Sequence, residues 1–365
     1  MSDKAKYSIF EPPDIPCREI SNPSVLSMTP LVSVKMITYN HELFIAKAIE
    51  GVIRQEISFP FELIIGEDCS TDRTFQIVLE YQKNYPNIIR IITSDQNIGM
   101  TKNNYRLEKV CRGKYIAYCE GDDYWHNPEK LKKQVDYLDA HPEVGLAHSD
   151  VDVHNTITGR HIRNANRYYD IKPNEEESNR LFESILQRKY PIRTPTVCVR
   201  KDLLLQVIQS DPIVFQSNRF LMGDIPRWLE LSRLTKFKYI DESFATYNIL
   251  SESASHTQNN AKFYEFYMSI IDTIHYFSEK YDVSFCVNDR ISGYATLMLK
   301  RAYYSLDPGL ASKTKELIHR QNLLQRLLYL GAVSQFMHYT FLPFAYAARY
   351  LNKIRRSKYY QHHKL

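Results

Sequence analysis

The sequence has six cysteines in 365 residues, and none stands in a C-x-x-C pair or with histidine at zinc spacing. That argues against a zinc centre and a disulfide-stapled fold. Cys17, Cys69, Cys111, Cys119, Cys198 and Cys286 read instead as reduced, mostly buried thiols of a cytosolic protein. Gly99 stands outside any G-x-G-x-x-G run and no G-K-[ST] loop is present, which disfavours dehydrogenase and kinase readings. No Ser-His-Asp arrangement or internal repeat is visible. The segment Met1 to Lys6 leads into a polar, proline-containing stretch without an apolar h-region, so no secretory signal is expected and residence on the cytosolic side follows. A net charge of +5 with basic residues spread along the chain implies no nucleic-acid partner.

What is present is a large apolar and aromatic complement, 44% hydrophobic with 27 tyrosines, enough for one large core or one core plus a helical appendage. From Leu31 the pattern alternates as repeated βαβ units require. Strands are predicted at Leu31 to Ile37, Phe61 to Gly66, Asn87 to Thr93, Lys114 to Cys119 and Val144 to Ala147. Helices are predicted at His41 to Gln55, Asp72 to Asn84, Met100 to Cys111 and Pro128 to Ala140, with Asn127 placed to cap the last. Further helices are predicted at Ser178 to Lys189, Lys201 to Ser210 and Asp224 to Leu234. Gln258 to Lys280, Asp289 to Tyr304 and Ser312 to Leu330 then make a helical extension. The polar run Tyr168 to Asn179, with Pro173, reads as an exposed loop, a functional lid being the alternative.

The most informative stretch is Glu120-Gly121-Asp122-Asp123-Tyr124-Trp125, which places adjacent carboxylates directly after an apolar strand. Carboxylates there can hold a hard divalent cation against a diphosphate. A second acidic turn, Glu67-Asp68-Cys69-Ser70-Thr71-Asp72, follows another apolar strand. Right-handed crossovers bring Tyr39-Asn40, Glu67-Asp68, Gln96-Asn97 and Asp122-Asp123 to one edge of the sheet, where open α/β sheets bind ligands.

These residues resemble the inverting GT-A glycosyltransferases of family 2. The resemblance spans roughly Leu31 to His256 and rests on five segments in order. They are the run Val32 to Asn40, including Thr38 and Tyr39; the turn Asp68 to Asp72; Asn97-Ile98-Gly99 with Asn103; Gly113-Lys114-Tyr115-Ile116; and Asp122-Asp123. The fold it implies is α/β, a Rossmann-like mostly parallel sheet flanked by helices. Residues 1–30 would be an N-terminal extension and 31–256 the catalytic domain, with a nucleotide-sugar half at 31–127 and an acceptor half at 128–256. Residues 257–365 would be a helical extension.

The resemblance implies that Asp68 accepts a hydrogen bond from the base of the donor and that Tyr39 packs by its ring. Thr38, Asn40, Glu67, Asn97, Gly99 and Asn103 would complete the donor site. Ser70, Thr71 and Asp72 equally suit a helix N-cap. The family more often has Asp at Glu67 and Gly at Cys69. Asp122 would face the ribose or the metal and Asp123 would ligate Mg²⁺ or Mn²⁺, with Glu120 the alternative first acid of the pair. Phe220 to Trp228 resembles the segment carrying the base that deprotonates the acceptor, which points to Asp224, a residue also placed for helix capping before Pro226. Arg227, Trp228 and Thr196 would lie on the acceptor side, packing being the alternative for the Arg–Trp pair. Tyr247-Asn248 and Ser251 to His256 are similar to the closing segment, with Asn248 where the family usually has Arg. His256 is a further metal or pyrophosphate candidate.

No Asp, Glu, Lys or Arg lies between Arg326 and Arg349, and Lys353, Arg355, Arg356 and Lys358 follow. Polar residues and Pro343 interrupt this run, which favours attachment at a membrane surface over a spanning helix. A helix that covers the catalytic core is the other reading.

The expected activity is transfer of a sugar from a nucleoside diphosphate sugar to a hydroxyl of a glycan or lipid-linked oligosaccharide. It would proceed by a metal-assisted single displacement, on the cytosolic side or peripheral to the inner membrane face. Two rivals are a catalytically inactive nucleotide-sugar-binding or scaffold protein of the same fold, and a nucleotidyltransferase. The latter would carry a Gly-rich basic loop after the first strand, which Thr38-Tyr39-Asn40-His41-Glu42 does not supply.

Overall fold

The computed structural model describes residues 15–26, 29–171, 178–216, 220–251, 257–283, 287–318 and 320–341. The chain divides into two compact units, Met1–Ser251 and Glu252–Leu365.

The first unit is organised by a ten-stranded mixed sheet. Its strands are β1 (Arg18–Ile20), β2 (Val32–Thr38), β3 (Phe61–Glu67), β4 (Ile89–Thr93), β5 (Tyr115–Tyr118), β6 (Tyr124–Trp125), β7 (Val144–Asn155), β8 (Arg160–Ile162), β9 (Cys198–Arg200) and β10 (Lys236–Ile249). Their order is β1-β4-β3-β2-β5-β9-β7-β10-β6, with β8 paired to β7. The run β4-β3-β2-β5 is parallel throughout. Helices Ile45–Ile53, Thr74–Asn84, Met100–Val110 and Lys130–Ala140 occupy the crossovers the alternation predicted. Because helices cover such a sheet, β2 and β3 read as nearly continuous apolar runs, and Val34, Met36, Leu63, Ile65 and Ala117 pack with Ile45, Ile49 and Val52 in one core.

Two polar residues in that apolar run are charge-paired or hydrogen-bonded below the surface. Ser33 donates its hydroxyl to Glu62 of β3 at 2.6 Å, and Glu62 also takes Arg90 and Arg112. Lys35 gives its ammonium to Glu108 at 2.8 Å, and the Arg227 guanidinium grips both oxygens of the same carboxylate at 2.9 Å. Glu108 is only 1% exposed. Desolvation pushes its carboxyl up, but the charges of Arg227 and Lys35 outweigh that and hold it below the ordinary range. The ion triad joins β2, helix Met100–Val110 and helix Asp224–Leu234.

Some expectations change. The strand predicted at Val144 to Ala147 runs on to Asn155 as β7 and pairs in parallel with a fourteen-residue strand, β10, that periodicity did not reveal. The ladder passes Asp241 and Glu242 at an irregular register between Ile240 and Ala245. In the second unit, the helix expected at Ser312 to Leu330 is two. Pro308–Lys315 is capped by Asp307, and Leu323–Val333 starts in a capping box between Asn322 and Gln325. Helices Asn260–Lys280 and Val287–Ser305 precede them. Among the described residues no helix is long and apolar enough to cross a membrane. The tail from residue 342, including Phe344, Tyr346 and Lys353 to Lys358, lies outside the described residues, as do residues 172–177 of the Tyr168 to Asn179 loop.

Glu108→Gln should destabilise the protein by about 3–5 kcal/mol, because it leaves two buried cations with one neutral partner. A urea denaturation series should show the lowered midpoint. A midpoint within experimental error of the unmutated protein would show that the triad contributes nothing.

Candidate active site

Four loops leave the carboxyl ends of β2, β3, β4 and β5 at one edge of the sheet. The first two are laced together. Asn40, in a left-handed conformation at φ 55°, accepts the Thr71 N–H at 2.8 Å and donates its own N–H to the Ser70 hydroxyl. Asp72 accepts the N–H groups of Glu42 and Thr74, and Glu42 accepts that of Arg73. Tyr39 stands out of this lattice, 41% exposed, as a free aromatic face at the edge.

The first acidic turn spends its oxygens on backbone. Glu67 accepts the N–H groups of Ser70 at 2.7 Å and Cys69 at 3.1 Å, while Asp68 accepts those of Ile98 and Gly99, each at 2.9 Å. Cys69 at φ 59° and Gly99 at φ 83° occupy left-handed conformations within these turns. At Cys69 that conformation is one a glycine adopts without strain. Asn97 donates to the Asp68 carbonyl, and Asn103 is buried, donating to Gly66 O and accepting from Arg106 Nε. Asp68 therefore sets the shape of the 96–99 loop, and each of its oxygens retains a further acceptor direction.

The second acidic turn is pressed against the end of β2, where a Cβ on Gly121 would lie 2.6 Å from Thr38 Oγ1. It is held from β10. The Asn248 N–H donates to Asp123 Oδ1 at 2.8 Å, and the Asn248 side-chain amide donates to the Asp122 carbonyl at 2.6 Å. Glu120 has one carboxylate oxygen, Oε2, buried without a hydrogen-bond partner. Burial, then the nearby Asp122 charge, pushes the Glu120 carboxyl up to about 8. Burial, Asp122 and Glu120 also raise Asp123. Acids crowded in this way, one with an orphaned oxygen, fit a divalent cation. Asp122 and Asp123 are the residues that would hold it. Among the described residues no three His, Cys, Asp or Glu side chains form a ligand set by themselves. That is compatible with ions of the Mg²⁺ type, which take one or two carboxylates and complete their shell with water and phosphate oxygens.

Asp224 opens helix Asp224–Leu234, with Gly223 at the cap position. Its carboxylate accepts the Ile225 N–H at 2.9 Å and faces the Thr194 hydroxyl at 3.3 Å. Its charge reaches Glu120 and Tyr247. The Arg193 guanidinium lies over the Tyr247 ring at 4.9 Å and opposes the rise of Asp123. Glu120, Asp122, Asp123, Asp224, Arg193 and Tyr247 thus form one electrostatic cluster.

The three residues expected on the acceptor side are placed elsewhere. Arg227 is bound to Glu108, Trp228 is fully buried and packs edge-on to Tyr118, and Thr196 is fully buried with its hydroxyl on Arg193 O. They hold the site from behind, and it is the Thr194 hydroxyl that faces Asp224. His256 lies outside the described residues. A cavity of about 620 Å³ lies between helix Ile45–Ile53 and Tyr124–Pro128, and none of the acidic residues above lines it. Lys35 and Glu108 went unnoticed in the sequence, although a lone lysine inside the apolar run of β2 is itself a sign of a buried partner.

Residues 33–203 match the family described as glycosyl transferase family 2. An uncharacterised protein of Mycobacterium tuberculosis is 45% identical over 122 residues, 33% of this chain and 35% of that one. The chain thus spans about a third of the length of the first curated relatives it matches. An uncharacterised glycosyltransferase of Methanocaldococcus jannaschii is 26% identical over 222 residues, 60% of this chain and 71% of that one. Among solved structures, the mannosyltransferase PcManGT of Pyrobaculum calidifontis, in complex with GDP-Man and Mn²⁺, superposes with a TM-score of 0.53 at 14% identity, covering 91% of this chain and 83% of that one. This likeness shows the fold, which is GT-A.

The crowded acids predict a pH signature. Glu120 binds a proton more tightly folded than unfolded, so its stabilising contribution is complete below the ordinary glutamate range and is lost as pH rises through about 8. The melting temperature in chelator should fall over that window, and Glu120→Gln should flatten the fall. An identical slope in the variant would contradict this placement of Glu120.

Proposed function

From the premise that residues 33–203 belong to glycosyl transferase family 2, we propose that the protein transfers a sugar from a nucleoside diphosphate sugar to a hydroxyl of a glycan or lipid-linked oligosaccharide, with inversion. The observation that carries this reading is the meeting of two carboxylate groups of different setting, the Asp122-Asp123 turn and Asp224, in one electrostatic cluster.

Tyr39 offers its ring to the donor base, and Asp68 presents its remaining acceptor capacity to a base N–H. Asp122 and Asp123 would hold Mg²⁺ or Mn²⁺; such an ion, when bound, neutralises the diphosphate as it leaves. The mannosyltransferase bound to GDP-Man and Mn²⁺ supports that part of the reading. Asp224 takes the proton of the acceptor hydroxyl as its oxygen forms a bond to the anomeric carbon and the bond from that carbon to the diphosphate breaks. The Ile225 N–H and the Thr194 hydroxyl fix the direction in which the Asp224 carboxylate points. One displacement without a covalent sugar–protein intermediate inverts the anomeric centre. The protein would work on the cytosolic side, at the surface of the cell membrane, a setting suited to a lipid-linked acceptor and to the basic run after Arg349.

A thermal-shift series with UDP, GDP, CDP and dTDP sugars should show stabilisation by one nucleotide class that needs Mn²⁺ and is lost in Asp123→Ala. Asp224→Asn should keep that shift while lowering transfer by about 10²–10⁴-fold. Transfer at the unmutated rate in Asp224→Asn would remove it as the base. Metal-independent shifts of equal size for every nucleotide would remove the donor site.

A further inference from the structure

A row of polar side chains crosses three strands beside the second acidic turn. His161 of β8 stands opposite His154 of β7, and His154 stands opposite Asn248 of β10. Residues directly opposite one another in a sheet project from the same face, so these three side chains follow one another across it. The His161 and His154 rings meet edge to face with centroids 5.7 Å apart, and His154 Nδ1 lies 3.2 Å from Asn248 Oδ1. Asn248 then reaches the turn twice, through its N–H to Asp123 Oδ1 and through its side-chain amide to the Asp122 carbonyl.

The direction of each bond follows from what the atoms can do. The Asn248 amide nitrogen donates to the Asp122 carbonyl, which leaves Oδ1 turned toward His154. An amide oxygen only accepts, so His154 Nδ1 carries the hydrogen and donates it, and this contact sets the tautomer of the ring. Asn248 is buried, and its Oδ1 has no other partner among the described residues. Without the His154 N–H that oxygen would be a buried acceptor left unsatisfied. The amide would then lose its preference for the orientation that offers a donor to Asp122. Turned over, it would set oxygen against the carbonyl oxygen it now holds.

We propose that His154 is a positioning residue for divalent-cation binding. Its Nδ1–H locks the Asn248 amide, and Asn248 in turn keeps the Asp122-Asp123 turn in the shape that takes the ion. Groups that orient metal ligands from outside in this way strongly affect affinity without touching the ion. The inference rests on the metal part of the functional reading, and its test reads cation binding with no sugar transfer.

Mn²⁺ alone would be titrated into the full unmutated chain, His154→Leu and His154→Asn, with binding read as enhancement of water-proton relaxation. Melting in chelator would be recorded for all three. His154→Leu should weaken Mn²⁺ binding by about tenfold, the lower end of what such outer partners contribute. His154→Asn, which can place an amide nitrogen where Nδ1 stands, should restore the affinity of the unmutated chain. A purely structural role would lower the melting temperature of His154→Leu and leave the Mn²⁺ affinity of the folded chain unchanged, and that result would overturn the proposal. So would equal weakening in both variants, since the hydrogen bond would then not be the cause. In either case the metal site itself would stand. No Mn²⁺ binding by the unmutated chain would instead remove the metal part of the functional reading, and this inference with it.

Discussion

The candidate site depends on a single carboxylate that touches none of its ligands. Glu108 sits fully enclosed between Lys35 of β2 and Arg227 of the helix that Asp224 begins. Arg227 also donates to the Gly223 carbonyl, immediately before Asp224. A charge cluster of this kind costs several kcal/mol of desolvation and recovers it only when the geometry is met. It therefore penalises any arrangement in which Asp224 is displaced from the strand edge. The position of the proposed base is fixed by electrostatics from behind, and the open side is left for substrate.

The same division of labour holds in the first acidic turn. Glu67 and Asp68 hold the N–H groups of residues 69, 70, 98 and 99, and Arg106 ties the carbonyls of Glu67 and Ile92 from below. A loop whose backbone donors end on carboxylates is shaped before any ligand arrives, so less ordering is left to be done on binding. The second turn lacks that internal satisfaction. Glu120 keeps an orphaned oxygen, and Asp123 is raised by burial and then by its acidic neighbours. One turn is finished without a ligand, and the other is electrostatically incomplete.

The parallel half of the sheet was legible because period and punctuation agreed there. Asp224–Leu234 begins and ends where the sequence placed it, and β2 to β5 lie within a residue or two of their expected bounds. The convergence of Tyr39, Asp68, Asn97 and Asp122 at one edge followed from crossover handedness alone. What was hidden depends on partners far away in sequence. β10 was obscured by a register irregularity over two acidic residues, and β9 is only three residues long. Arg227 and Trp228 were assigned by neighbourhood to Asp224 and Thr196 by resemblance alone, but helix phase turns the first two inward and Thr196 is buried. No local pattern distinguishes an arginine that meets a phosphate from one that meets Glu108.

The clamp from Asn248 has a mechanical consequence. The acids of the 120–123 turn are gripped by β10, which pairs with β7, which pairs through β9 with β5, the strand from which those acids emerge. The load path closes on itself inside one sheet, so among the described residues of Met1–Ser251 the strands β5 and β10 are tied to each other through the clamp. The sheet works as a jig that holds the 120–123 turn at a fixed distance from β10, and not as a pair of jaws.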